Sequence, residues 1–298
     1  MIDLNEAVLK LAERAEADLA PVFARIDAIA RENTARMLSA FQENRVSAAC
    51  FAGTTGYGYD DRGREVLDQV AAQVFGAEDA IVRINFINGT HALSTALFGV
   101  LRPGDTLVSC FGAPYDTLQT VIGIVGDEPG NLRQFGVRYV QVDGTPEGQP
   151  DLPAILRAVQ QPGVRMATIQ RSRGYSDRAA LTVAQLGEII AAIHAAAPQV
   201  VVMVDNCYGE FVQEQEPTML GADLMVGSLI KNPGGGLAVT GGYIAGRHDL
   251  VEACAMRLTC PGVGREGGAT LDQNRLLYQG FFLAPHTVAQ AVKTAALC

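Results

Sequence analysis

The chain reads Val204-Asp-Asn-Cys-Tyr-Gly-Glu-Phe211 and, a little further on, Gly227-Ser-Leu-Ile-Lys-Asn-Pro-Gly-Gly-Gly236. Asp205 closes an apolar run that starts after Gln199. A short continuous apolar run of this kind reads as a strand buried on both faces, which is the signature of a parallel sheet. Lys231 follows a second such run, Ala222 to Ile230. Ligands of open α/β sheets sit outside the carboxyl ends of the strands, so the acid and the amine are expected at one sheet edge although 26 residues separate them. An acid there can protonate a ring nitrogen. A lysine in apolar surroundings is expected to lose its proton and attack a carbonyl carbon. Ser228, three residues before the lysine, carries a hydroxyl that can hold a phosphate oxygen. A lysine after an apolar strand is weak evidence by itself, because most such lysines are ordinary strand-end residues.

Working outward, strands are predicted at Ala80 to Phe86, Thr106 to Cys110, Val137 to Val142, Met166 to Gln170, Gln199 to Asp205 and Leu224 to Ser228. Helical periodicity separates them, including His91 to Leu101, Tyr115 to Val125, Leu152 to Gln160 and Thr182 to Ala196. N-terminal helices run to about Gln42, a Gly/Tyr-rich stretch covers 53–64, and a helix through Val66, Val70 and Val74 follows. Regular alternation of strand and helix predicts an α/β fold of three layers, αβα, with one mostly parallel sheet. Asn88-Gly89-Thr90-His91 joins a strand to a helix, where free amides and the helix dipole make an anion site. The plainer reading is a βα turn capped by Thr90.

Composition bounds the function. The 298 residues are 48% hydrophobic and 18% charged, enough for a large core. A net charge of -9 argues against nucleic acid or an anionic membrane as the main partner. No apolar run is long enough to span a bilayer, and MIDLNEAVLKLAERAEADLA reads as an acidic amphipathic helix rather than a signal peptide, so a soluble, cytoplasmic protein is expected. The six cysteines, Cys50, Cys110, Cys207, Cys254, Cys260 and Cys298, form no metal-ligand spacing. They are expected to be reduced packing residues, with no metal site.

Eight motifs in one order then carry a resemblance: GYGYDDRGRE (56–65), NGTHALSTAL (88–97), LRPGDTL (101–107), APYDTLQTVIG (113–123), SRGYSDR (172–178), DNCYGEF (205–211), SLIKNPGGG (228–236) and YQGFFLAP (278–285). In these the chain resembles the fold type I pyridoxal phosphate (PLP) enzymes, and within them the methionine gamma-lyase-like group that includes aluminium resistance proteins. The resemblance implies the large domain of the PLP-dependent transferase fold at 51–258, after an N-terminal helical segment at 1–50. It implies an antiparallel strand at Thr240 to Gly246. Residues 259–298 are expected to open a small C-terminal domain, truncated within a helix from His286 to Leu297.

The same resemblance assigns roles. Lys231 would hold the cofactor as a Schiff base, Asp205 would protonate its pyridine nitrogen, and Ser228 with the amides near Gly89 and Thr90 would take its phosphate. Tyr115 would lie on the pyridine face, with His91 as a weaker rival and packing beneath a loop as the structural alternative. Tyr57, Tyr59 and Arg62 resemble a Tyr-x-Arg element that crosses to a neighbouring subunit, although the spacing differs, and they imply a homodimer or homotetramer with shared sites. Arg173, beside Arg171 and Tyr175, is a candidate for the substrate carboxyl or the O3′ region of the cofactor, or else a solvated or capping arginine. The glycines after Lys231 either admit a close cofactor or form a flexible turn. Cys207 falls on the same strand face as Asp205 and is read as packing.

The expected activity is a PLP-dependent carbon-sulfur elimination from a sulfur amino acid, giving a keto acid, ammonia and a thiol. An aminotransferase on the same frame, or a PLP-binding stress-associated protein without turnover, are the alternatives, because fold does not fix chemistry.

Overall fold

A computed structural model describes residues 5–298; the first four residues of the N-terminal amphipathic stretch lie outside it. In chain order the elements are α1 (Glu6–Glu43), α2 (Arg62–Phe75), β1 (Asp79–Arg83), α3 (Gly89–Val100), β2 (Thr106–Ser109), α4 (Asp116–Ile122), β3 (Arg138–Gln141), α5 (Leu152–Val159), β4 (Val164–Gln170), α6 (Val183–Ala196), β5 (Val201–Asp205), β6 (Leu224–Ser228), β7 (Gly242–Gly246), α7 (His248–Leu258) and α8 (Asn274–Leu297). The seven strands form one sheet in the order β1-β7-β6-β5-β4-β2-β3. All neighbours are parallel except β7, which runs antiparallel to both β1 and β6.

The two-residue period of the strands sorts their side chains onto two helical layers. Val201 and Met203 of β5, with Leu224 and Val226 of β6, pack with α3 and α7. Val202 and Val204 face the opposite way into the cluster built on α5 and α6, while Met225 joins Tyr243 and the α1, α2 and α8 cluster. Each such side chain, once fully buried, contributes about 1.5–3 kcal/mol. Continuing the period by two residues puts Asp205 and Ser228 on the face from which α3 sets out. Both predicted site residues are thus aimed at one helix N-terminus by strand geometry alone.

The structure shifts several predicted boundaries. Helix α4 ends at Ile122 rather than Val125 because Gly123 is left-handed, φ 88°, and closes it with hydrogen bonds to Gln119 and Thr120. Helix α7, not singled out above, buries Leu250, Val251, Cys254 and Ala255, an apolar stripe diluted in sequence by its charged neighbours. Helix α8 begins at Asn274, not His286, and carries Pro285 inside it.

Helix α8 packs along α1 and against the turn Asn232–Gly234 that follows Lys231. The contact needs glycine on both sides: a Cβ on Gly280 would fall onto the Gly234 carbonyl, and one on Gly235 onto the Gly280 carbonyl. Gly280→Ala is therefore expected to destabilise the protein by about 1–3 kcal/mol, the usual cost of overpacking, seen as a lower urea midpoint. An unchanged midpoint would mean that α8 is not seated there.

Candidate active site

The carboxyl ends of β4, β5 and β6 and the start of α3 enclose a cleft of about 630 Å³. It is lined by Gly89, Thr90, Tyr115, Arg173, Asp205, Ser228 and Lys231 from the sequence reading, together with Cys207, Tyr175 and Tyr208. The chain has three lysines. Lys10 is paired with Glu6 and Lys293 with Asp27, so among the described residues Lys231 is the lysine without an ion pair.

Asn88 caps α3, its side chain accepting from the His91 amide at 2.9 Å, so Thr90 is not the cap. Thr90 instead shares a 2.7 Å hydrogen bond with Thr117. A Cβ on Gly89 would stand 3.1 Å from the Ser228 Cβ and 3.3 Å from the Cys207 sulfur, a tight fit that would press on both neighbours by a few tenths of an ångström. The Ser228 hydroxyl there is buried without a hydrogen-bond partner. A buried orphan hydroxyl is costly unless something completes it. An oxygen of a phosphate at the helix N-terminus would do so.

Asp205 is buried and makes no ion pair among the described residues; its Oδ1 accepts from the Cys207 amide at 3.1 Å. Burial pushes its carboxyl above the usual carboxylate range, against the pull of the Cys207 groups and the Lys231 charge. A protonated ring nitrogen placed against it would supply the cation it lacks. Lys231 departs from expectation. Burial lowers its pKa, but Cys207, Tyr208 and Asp205 outweigh burial and hold the amine above its ordinary value. The apolar strand before it is behind the lysine, whereas acid, thiol and phenol surround the Nζ end. The Cys207 thiol, pushed well up by burial beside Asp205, lines the cleft rather than packing away from it.

Tyr115, just before α4, stacks on Tyr175 with ring centroids 5.5 Å apart and donates to the Tyr175 hydroxyl at 3.1 Å. That donation, with smaller contributions from desolvation and neighbouring charge, pushes its phenol up to about 12. His91 instead turns back, accepting from the Ile87 amide and resting edge-on against Phe86. Arg173 is exposed and lines the cleft. Arg171, its sequence neighbour, is buried and committed elsewhere, donating to Asn206, to the Gly209 and Leu181 carbonyls and to Gln213.

Tyr57, Tyr59 and Arg62 do not line this cleft. All three are exposed, and the two tyrosines stack on each other at 5.7 Å. The loop that carries them is anchored by two residues the sequence reading missed. Arg64 is 1% exposed and donates to the carbonyls of Gly58, Glu266 and Gly268, while Asp61 accepts from Thr54, Thr270, Asn274 and the Arg64 amide. Helical spacing held the signal, since Arg64 and Asp68 fall on the same stripe as Leu67 and Ala71.

An acid and a lysine at the carboxyl edge of a mostly parallel sheet, facing an anion-holding helix start, are the arrangement of the fold type I PLP-dependent enzymes. Residues 8–298 match the methionine gamma-lyase family, and the chain belongs to that family. The uncharacterized protein YnbB of Bacillus subtilis (strain 168) is 48% identical over 292 residues, covering 98% of this chain and 69% of YnbB. A carbon-sulfur lyase involved in aluminum resistance from Clostridium novyi NT superposes with a TM-score of 0.95 at 47% identity, covering 99% of this chain and 70% of that one. The pyridoxal-5'-phosphate dependent protein YhfS of Escherichia coli shares the fold alone, at 21% identity and a TM-score of 0.66, over 89% of this chain and 67% of its own. No helix among the described residues is long and apolar enough to cross a membrane.

Behind the site, Glu210 is fully buried and accepts a 2.7 Å hydrogen bond from the Tyr243 hydroxyl, with its other oxygen unpartnered. Burial, with Glu216 nearby, pushes its carboxyl from the ordinary 4.5 to about 8. The unfolded chain then releases this proton before the folded one does, so its contribution to stability is complete below pH 4.5 and is lost as pH rises through about 8. Glu210→Gln should flatten the loss of stability over that window, measured by urea midpoints at stepped pH. An unchanged slope would mean that Glu210 titrates normally.

Proposed function

We propose that this chain is a PLP-dependent carbon-sulfur lyase that eliminates a thiol from a sulfur amino acid. The observation that carries the reading is the convergence in one cleft of three unsatisfied groups: the orphan Ser228 hydroxyl, the unpaired buried Asp205 and the unpaired Lys231. Similarity to the Clostridium novyi carbon-sulfur lyase supports the reaction class.

Ser228 and the first amides of α3 would hold the phosphate, and Lys231 the carbonyl carbon. When bound, PLP supplies an electron sink for negative charge at the substrate α-carbon. Asp205 keeps a proton on the ring nitrogen. Arg173 binds the substrate carboxylate, for which a guanidinium offers two parallel donors. Lys231, released when the substrate amine takes its place at the carbonyl carbon, would then take the α-proton as general base. Tyr115, which lines the cleft with Tyr175 stacked on it, would lie on the ring face of the cofactor. Departure of the β- or γ-thiolate and hydrolysis leave a keto acid, ammonia and a thiol.

Borohydride reduction of the PLP-loaded chain, followed by peptide mapping, tests the assignment. The label is expected on Lys231 and should vanish in Lys231→Ala; a label at Lys10 or Lys293 would overturn it. Release of keto acid and thiol without an amino acceptor separates the lyase from a transaminase.

Tyr57, Tyr59 and Arg62, exposed and outside the cleft of their own chain, are proposed to complete the site of a second copy in a homodimer or homotetramer. Mixing Lys231→Ala with Arg62→Ala should then restore tight PLP binding in one site of each hybrid dimer. No recovery in verified heterodimers would place these residues outside any shared site.

A further inference from the structure

The segment after β5 carries two non-glycine residues in the left-handed region, Tyr208 at φ 69° and Phe211 at φ 63°. Such backbone costs about 1–3 kcal/mol per residue and persists only where surrounding contacts impose it. Here they do. Arg171 donates to both Asn206 Oδ1 and the Gly209 carbonyl, Asn206 donates to Glu216 at 2.9 Å, and the Phe211 amide donates to Glu216 at 2.8 Å. The Gly209 amide closes the turn on the Asn206 carbonyl. Phe211 is thereby sent into the core, in the cluster with Phe75 and Phe281. Tyr208 is sent the other way, 61% exposed, and no burial of its own accounts for the strain. What its ring meets is the Lys231 ammonium, 4.2 Å from the ring centroid.

We infer that Tyr208 is a positioning residue for Lys231, its ring a fixed floor that holds the amine in place and favours its charged form whenever the amine is free. The negative face of an aromatic ring attracts an ammonium. The remaining titratable groups around the amine are Asp205 at the end of β5 and Cys207 on the same segment as Tyr208. The first is buried at the cleft floor, and the second is a neutral thiol at ordinary pH. Of these groups Tyr208 is the one that meets the amine through an aromatic face. The inference rests on the assignment of Lys231 as the reactive amine, but its geometry is a property of the chain without cofactor.

The test uses the cofactor-free full chain. Trace acetylation with acetic anhydride across a pH series, quantified by mass spectrometry, gives the titration midpoint of each amine, with Lys10 and Lys293 as internal references. Tyr208→Asn removes the ring while tolerating left-handed backbone, and Tyr208→Phe keeps the ring and removes the hydroxyl. The Lys231 midpoint should fall by roughly half a pH unit in the asparagine variant, the scale of a cation-π contact, and return to the wild-type value in the phenylalanine variant. Lys10 and Lys293 should not move. An unchanged or raised Lys231 midpoint in Tyr208→Asn would overturn the inference. So would a phenylalanine variant that behaves like the asparagine one, since the hydroxyl and not the ring would then be acting. Borohydride mapping decides the identity of the reactive lysine separately, so the two readings fail independently.

Discussion

The guanidinium of Arg171 is the constraint on which the cleft depends. Buried at the end of β4, it distributes its donors over the segment that follows the neighbouring strand, reaching Asn206, Gly209 and Gln213. Its nearest carboxylate, Glu216, is also fully buried at 3.8 Å and is in turn held by Asn206 and the Phe211 amide. Removing one member of such a network leaves a charge without compensation, which costs about 3–5 kcal/mol. Because the network spans residues 206–216, it fixes at once the entry of the segment beside Asp205, the left-handed turn at Tyr208 and the inward turn at Phe211. Arg173, two residues away and exposed, is free to meet a ligand because Arg171 has taken the structural work.

The parts of this arrangement that follow from local rules are the parts the sequence makes legible. Alternating strands and helices announce the layered sheet, and apolar runs ending at Asp205 and Ser228 announce its carboxyl edge. The turn Asn88 to His91 announces a helix start, although the sequence points to Thr90 as its cap and the structure uses Asn88. Long-range choices are another matter. Nothing local to Arg64 says that its partners are carbonyls some two hundred residues away at Glu266 and Gly268. The sequence suggests a helix only from His286, after Pro285, yet α8 runs through the proline because packing along α1 and against the lysine turn outweighs the lost backbone donor. The environment of Lys231 illustrates the same limit: the apolar strand before it suggests a lowered pKa, whereas the groups that face its amine come from a different strand end.

The stretch from Asp205 to Phe211 also shows how one short segment supports two buried carboxyls with different duties. Strand alternation aims Asp205 at the cleft, where a ligand can reach it and Lys231 stands near. Glu210, five residues on, is turned behind β6, close against Gly227 and hydrogen-bonded by Tyr243. With burial as its main influence, outweighing the Tyr243 hydrogen bond and the pull of Arg171, Glu210 keeps its proton at neutral pH. As a protonated acid behind the sheet it adds no negative charge to the cleft. Asp205, the carboxyl that faces the cleft, is thus left as the acid able to gain a cationic partner there, and separating two neighbouring acids by environment is what assigns them distinct roles.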